Sequence, residues 1–260
     1  MKKLTTLGVL LVATTSAFAQ DMNASATQIW QGAIGTKANT GFGVQDDASY
    51  SNITTFSGFA ASNGGATSTI TNLLADDLLT LTPNTLIEGF TFSVSNLDTA
   101  TFTARARVRF YAADGAGGAP GTIISGFSFA PISFTAGSVG LFTANVSTTP
   151  FLVPASGKIW AGMTFDNVGA TATTANLNNL GQGLFDAPTV GSSADADFLT
   201  SAPGSFLASN PAGTLRTSPF TANPKANYGW ALTAVPEPAS FAVIGLGLIG
   251  LVARRRKSSK

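Results

Sequence analysis

Arg105, Arg107 and Arg109 alternate along "TFTARARVRFY" (101–111). In an extended strand this spacing puts the three guanidinium groups on one face, about 6.7 Å apart. Guanidinium is planar, permanently charged and rich in donors, so it pairs well with carboxylate and sulfate. The stripe could therefore bind an anion such as an acidic polysaccharide. The same pattern also fits an outward sheet face whose arginines pair with cross-strand neighbours such as Glu88, Thr or Ser. Asp46-Asp47, Asp76-Asp77, Asp114 and Asp166 are the second candidate set. They are hard oxygen donors that could hold a structural calcium ion if loops bring them together. No D-x-D-x-D-G loop organises them, and turn formation is the commoner task of such aspartates, so no metal site is assigned.

Other chemistries are excluded by what is missing. The 260 residues contain neither cysteine nor histidine, which removes disulfides, thiolate nucleophiles, histidine zinc sites and the Ser-His-Asp triad. The nearest approach to a nucleophile elbow, Gly191-Ser192-Ser193-Ala194-Asp195, lacks its closing glycine. Glycoside hydrolysis needs two carboxylates flanking a bond. Glu88 is the one glutamate between Gln20 and Ala234, so a polysaccharide hydrolase would have to use aspartates. No catalytic residue is assigned, and the chain reads as a non-enzyme. Trp30, Trp160 and Trp230 could stack on sugar rings, but among 19 phenylalanines they read first as core residues.

The elements that must carry these groups are strands. Phe102, Ala104, Ala106, Val108 and Phe110 oppose Thr103, Tyr111 and the three arginines with period two, the signature of a half-buried strand. Phe90, Phe92 and Val94 repeat the pattern, as do Ile159, Ala161, Met163 and Phe165, and finally Trp230, Leu232 and Ala234. Asn96-Leu97-Asp98 and Asp114 to Gly121 supply turns. No convincing amphipathic helix is present, so the expected fold is all-β, an antiparallel sandwich. The Gly-, Ala-, Ser- and Asn-rich stretch 179–226 is expected to form long surface loops.

The two ends differ from this body. The formal net charge of +1 conceals a segregation: half of the 14 basic residues lie at the ends, while residues 20–234 hold seven basic and twelve acidic ones and are net −5. A nucleic-acid partner needs a basic surface and is not expected. Residues 1–19 have a signal peptide's three parts: Lys2 and Lys3, an apolar run from Leu4 to Ala13, and the small-x-small pattern of Ala17 and Ala19 before Gln20. Signal peptidase and the general export machinery are the partners this implies. At the other end, Ala239 to Ala253 is an uncharged apolar run. As a helix it measures about 22 Å against a hydrocarbon core of about 30 Å, so insertion calls for snorkelling or local thinning. Arg254, Arg255, Arg256 and Lys257 would stay cytoplasmic, leaving the body outside. Gly245-Leu246-Gly247-Leu248-Ile249-Gly250 matches a dinucleotide fingerprint by letter, but arginines and serines follow in place of a second strand.

Val235-Pro236-Glu237-Pro238, a short Gly-containing apolar segment and an arginine run resemble, in that order, the PEP-CTERM sorting signal. The resemblance covers residues 235–260. It implies recognition by an exosortase in a Gram-negative, exopolysaccharide-producing bacterium, with the tail removed near the Pro-Glu-Pro motif. "ADDLLTL" (75–81), "IEGFTFSV", "RVRFYAADGAGGAPGTII" and "KIWAGMTF" resemble a β-sandwich module of bacterial surface proteins. That second resemblance spans about residues 70–170 and implies a jelly-roll-like fold with no particular activity. The chain then divides into a signal peptide (1–19), an exported β-sandwich (20–234) and a sorting signal (235–260). The expected role is structural or adhesive, at the cell surface or in the exopolysaccharide matrix after transient anchoring in the inner membrane. A lectin-like carbohydrate-binding module is the alternative, and an aspartate-dependent hydrolase a weaker one.

Overall fold

The computed structural model describes residues 21–42, 47–62, 68–220 and 225–235. In chain order they form β1 (Met22–Ala24), β2 (Ala26–Ala33), β3 (Ala38–Asn39), β4 (Ala48–Ser51), β5 (Thr55–Ala61) and β6 (Leu74–Leu78). The long central strands β7 (Leu86–Asn96) and β8 (Phe102–Ala112) follow, then β9 (Ile123–Phe129), β10 (Ile132–Phe134), β11 (Ser138–Asn145) and β12 (Phe151–Leu152). The last are β13 (Ile159–Asp166), β14 (Leu180–Phe185), β15 (Ala196–Thr200), β16 (Gly213–Thr217) and β17 (Trp230–Ala234). Two sheets result. One has the order β1-β9-β8-β13-β6-β15-β16, with β10 along the start of β8. The other runs β2-β11-β7-β14-β5-β3, with β12 and β17 also on β7 and β4 on β17. All pairings are antiparallel except the parallel β1–β9 edge, a departure from the purely antiparallel expectation.

The sheets meet across an aromatic core. Phe90 and Phe92 of β7 face Phe110, Phe127 and Phe129 of the opposite sheet at centroid distances of 5.2–6.2 Å. Phe151 stacks on Phe110 at 4.4 Å. Offset and edge-to-face pairs add about 0.5–1.5 kcal/mol each beyond area burial. The period-two faces of β7, β8 and β13 point inward as their sequences require. Trp160 and Trp230 are buried, and Trp30 is half-buried.

The outer faces are not plainly solvated. Phe206, in the 201–212 connection, closes an apolar cluster with Leu73, Tyr111, Trp160 and Phe198. The outward side chains at the end of β8 are therefore buried too. Within 179–226, expected as long surface loops, the described residues supply β14, β15 and β16 with loops only between them. Their small residues are needed for packing, since a Cβ at Gly181 would run into the Ala60 carbonyl. Among the described residues no helix is long and apolar enough to cross a membrane, and α1 spans only Thr174–Leu177. The signal peptide and the apolar run 239–253 lie outside the described residues.

Candidate functional site

β8 holds the arginines as the alternation requires, and their partners come from far along the chain. Arg105 donates from Nε to Asp166 Oδ1 (2.8 Å) and from Nη2 to Oδ2 (2.8 Å). Arg107 donates from Nε to Asp166 Oδ2 (2.7 Å) and reaches Asp21 Oδ2 from Nη1 (3.3 Å). Arg109 pairs with Asp21 and lies 5.5 Å above the Phe206 ring. The result is an alternating row, Arg105–Asp166–Arg107–Asp21–Arg109, of net charge +1. Glu88, the anticipated partner, is in β7 of the other sheet and takes no part. Arg105 remains partly exposed beside a groove of about 430 Å³ lined by Asn23, Ser128, Pro131 and Val168.

A second polar cluster joins β6, β15, β16 and the approach to β17. Asp197 accepts from Arg216 Nε (2.7 Å) and Nη2, and from the Tyr228 hydroxyl (2.7 Å). Asp76, fully buried, accepts from the Tyr228 backbone N–H (2.8 Å). The Ser193 hydroxyl lies 3.1 Å from both Asp76 Oδ1 and Asp77 Oδ1. One hydroxyl proton cannot serve both carboxyl groups at once, so the two compete for it. Burial and then the neighbouring Asp77 charge hold the Asp76 carboxyl well above its usual range. Burial pushes Asp77 up to about 6, against the opposing pull of the Ala194 N–H and Ser193. Burial also raises the phenols of Tyr50 and Tyr228. Asp114 serves the turn instead, accepting from the N–H (2.7 Å) and hydroxyl (2.8 Å) of Thr122. Asp46 lies outside the described residues. Among the described residues no three acidic groups converge on a metal position.

The third feature is the exit of the chain. β17 lies between β7 and β4, with Trp230 paired to Phe92 and Ala231 to both Thr91 and Ser51. Pairing continues to its end: Ala234 N–H donates to the Asp47 carbonyl (3.0 Å) and Val235 N–H to the Leu86 carbonyl (2.8 Å). Val235 is thus held in the sheet one residue before Pro236. Proline has no N–H to extend the ladder and disfavours helix at the preceding residue. Of the sorting residues, Val235 is described; Pro236, Glu237, Pro238 and the basic run Arg254, Arg255, Arg256 and Lys257 lie outside, as do Ala17, Ala19 and Gln20.

Sequence reasoning missed Asp21, Asp197, Arg216, Tyr50 and Tyr228, and met Ser193 only within the elbow-like stretch 191–195. Only Asp21 carried a signal, as the second residue after the expected cleavage point. Comparison with known families finds the PEP-CTERM protein-sorting motif at residues 234–257. No curated protein and no solved structure matches the chain. The chain carries a PEP-CTERM sorting motif, which ties it to exosortase-mediated sorting and export toward the cell surface and implies an exosortase partner.

Proposed function

We propose that this is an exported, non-enzymatic surface or exopolysaccharide-matrix protein of structural or adhesive type, and that its C-terminal signal is a temporary membrane anchor removed by an exosortase. The observation that carries the reading is the junction: the matched motif begins at Ala234, where the last strand is still hydrogen-bonded in the sheet. Cleavage within Pro236–Pro238 would release a body that keeps all the pairing described for residues 21–235. In this reading residues 239–253 insert in the inner membrane of a Gram-negative cell, Arg254–Lys257 stay cytoplasmic, and signal peptidase cuts before Gln20. The jelly-roll-like kinship of the body rests on the resemblance of residues 70–170. The non-enzymatic assignment is supported by the use of Asp76, Asp77, Asp166 and Asp197 as buried structural partners, which leaves a hydrolase without a favoured acid pair. Replacing Pro236 and Glu237 by Ala tests the role of the motif. Insertion should persist, because hydrophobicity and the arginine run drive it. Release from the membrane fraction should stop, and release at the unaltered rate would refute the assignment.

The groove beside Arg105 favours a second reading, a lectin-like module for an acidic glycan. With two arginine-to-aspartate pairings already made at each end of the row, only a local contact with net charge +1 is on offer, on a body of net −5. Selective retention on a glycan array would favour this reading over the structural one.

A further inference from the structure

We infer that the end of the sheet from which the sorting tail emerges is a membrane-contacting surface, with Leu86 and Leu152 meeting the lipid headgroup layer before the tail is cut. The inference rests on the reading of residues 239–253 as a membrane anchor. Three observations support it. Leu86 and Leu152 are directly opposite each other in the β7–β12 pairing, are 43% and 47% exposed, and Val235 is bonded to the other side of Leu86. A short apolar row, Val235–Leu86–Leu152, therefore crosses the sheet at the exit point. It arises from an irregularity in β7, where pairing steps from Gly89–Thr233 to Ile87–Ala234. That step turns Ile87 into the core and Leu86 outward.

Of the segments that converge here, 78–87, 146–157 and 226–236 contain no Asp, Glu, Lys or Arg, and Asp47, Glu88 and Lys158 border them. An end with its charges at the border and not on the Val235–Leu86–Leu152 row approaches a bilayer with little cost of desolvating ions. The tether is also short. From Val235 to Ala239 is four Cα steps, at most about 14 Å when extended. The headgroup layer is about 5–8 Å thick on each side. An apolar run too short for the hydrocarbon core draws its flanks inward, so this end of the sheet is kept at the headgroups for as long as the tail is attached. Removing the tail removes the tether and with it the effective concentration that holds so small a patch on lipid.

The chain has no cysteine, so a single introduced cysteine carries an environment-sensitive fluorophore at one place. The full mature chain, residues 20–260, is reconstituted in phosphatidylcholine–phosphatidylglycerol vesicles with the label at Leu152→Cys, at Val168→Cys beyond the far end of β13, or at Gly247→Cys in the tail. Expected are a blue shift and quenching by headgroup-nitroxide lipid at 152, deep shielding at 247 and neither effect at 168. Shielding at 247 with 152 behaving like 168 overturns the contact surface while leaving the anchor intact. An aqueous signal at 247 overturns the anchor, and the contact surface falls with it. A shift at 152 that appears in detergent and grows with protein concentration assigns the patch to a second copy of the chain and also overturns the proposal.

Discussion

Asp77 sits at the edge of a buried network in which two adjacent carboxyl groups share the Ser193 hydroxyl, and its proton affinity gives the residue-scale prediction. Burial raises it to about 6, from about 4 in the unfolded chain. The folded state therefore binds this proton more tightly. The stability it contributes is fully present below about pH 4 and is lost as pH rises through about 6. Urea unfolding should show the protein about 1 kcal/mol more stable at pH 5 than at pH 7.5 from this group. Asp98 and Asp114, whose carboxyls are held below the usual range by hydrogen bonds, stay ionised over that window and do not offset it. Asp77→Asn keeps an acceptor for the Ala194 N–H and should shrink the difference by about that amount, while the raised Asp76 carboxyl keeps a residual slope of the same sign. An equal pH slope in both proteins would place the titrating group elsewhere.

At the scale of elements, β17 closes the fold. It buries Trp230, Ala231 and Leu232 and pairs with both β7 and β4. A chain stopped after Gly229 should show no cooperative melt, whereas one stopped after Val235 should melt at the temperature of the full-length protein. Equal melts for both would mean that the last strand is dispensable. The strands themselves were readable wherever one face meets the aromatic core: β7, β8, β13 and β17 alternate because the two sheets bury only that face against each other. β14, β15 and β16 were not readable. β14 and β15 are buried on both faces, and β16 is a short, largely exposed edge strand, so the alternation that marks a half-buried strand is lost. The arginine row was visible as a row, but its pairing was not. Asp166 is 61 residues from Arg105 and Asp21 is 86 from Arg107, and no local pattern reports such a meeting.

Across the whole molecule, the body and its address meet without a spacer. Residue 235 is the last of the described residues and is bonded to the sheet, the matched sorting motif covers 234–257, and at the other end Asp21, the second residue after the expected signal-peptide junction, is held by Arg107 and Arg109. Both proposed cuts fall outside the described residues and leave the pairing described for residues 21–235 in place, so processing can leave a finished protein instead of a frayed one. The intact mass of the stable surface form, purified from cells that carry the sorting enzyme, tests this most directly. The expected form begins at or near Gln20 and lacks everything after Pro238. A mass that still includes Arg254 to Lys260 would contradict it and would leave the C-terminal segment as a permanent part of the protein.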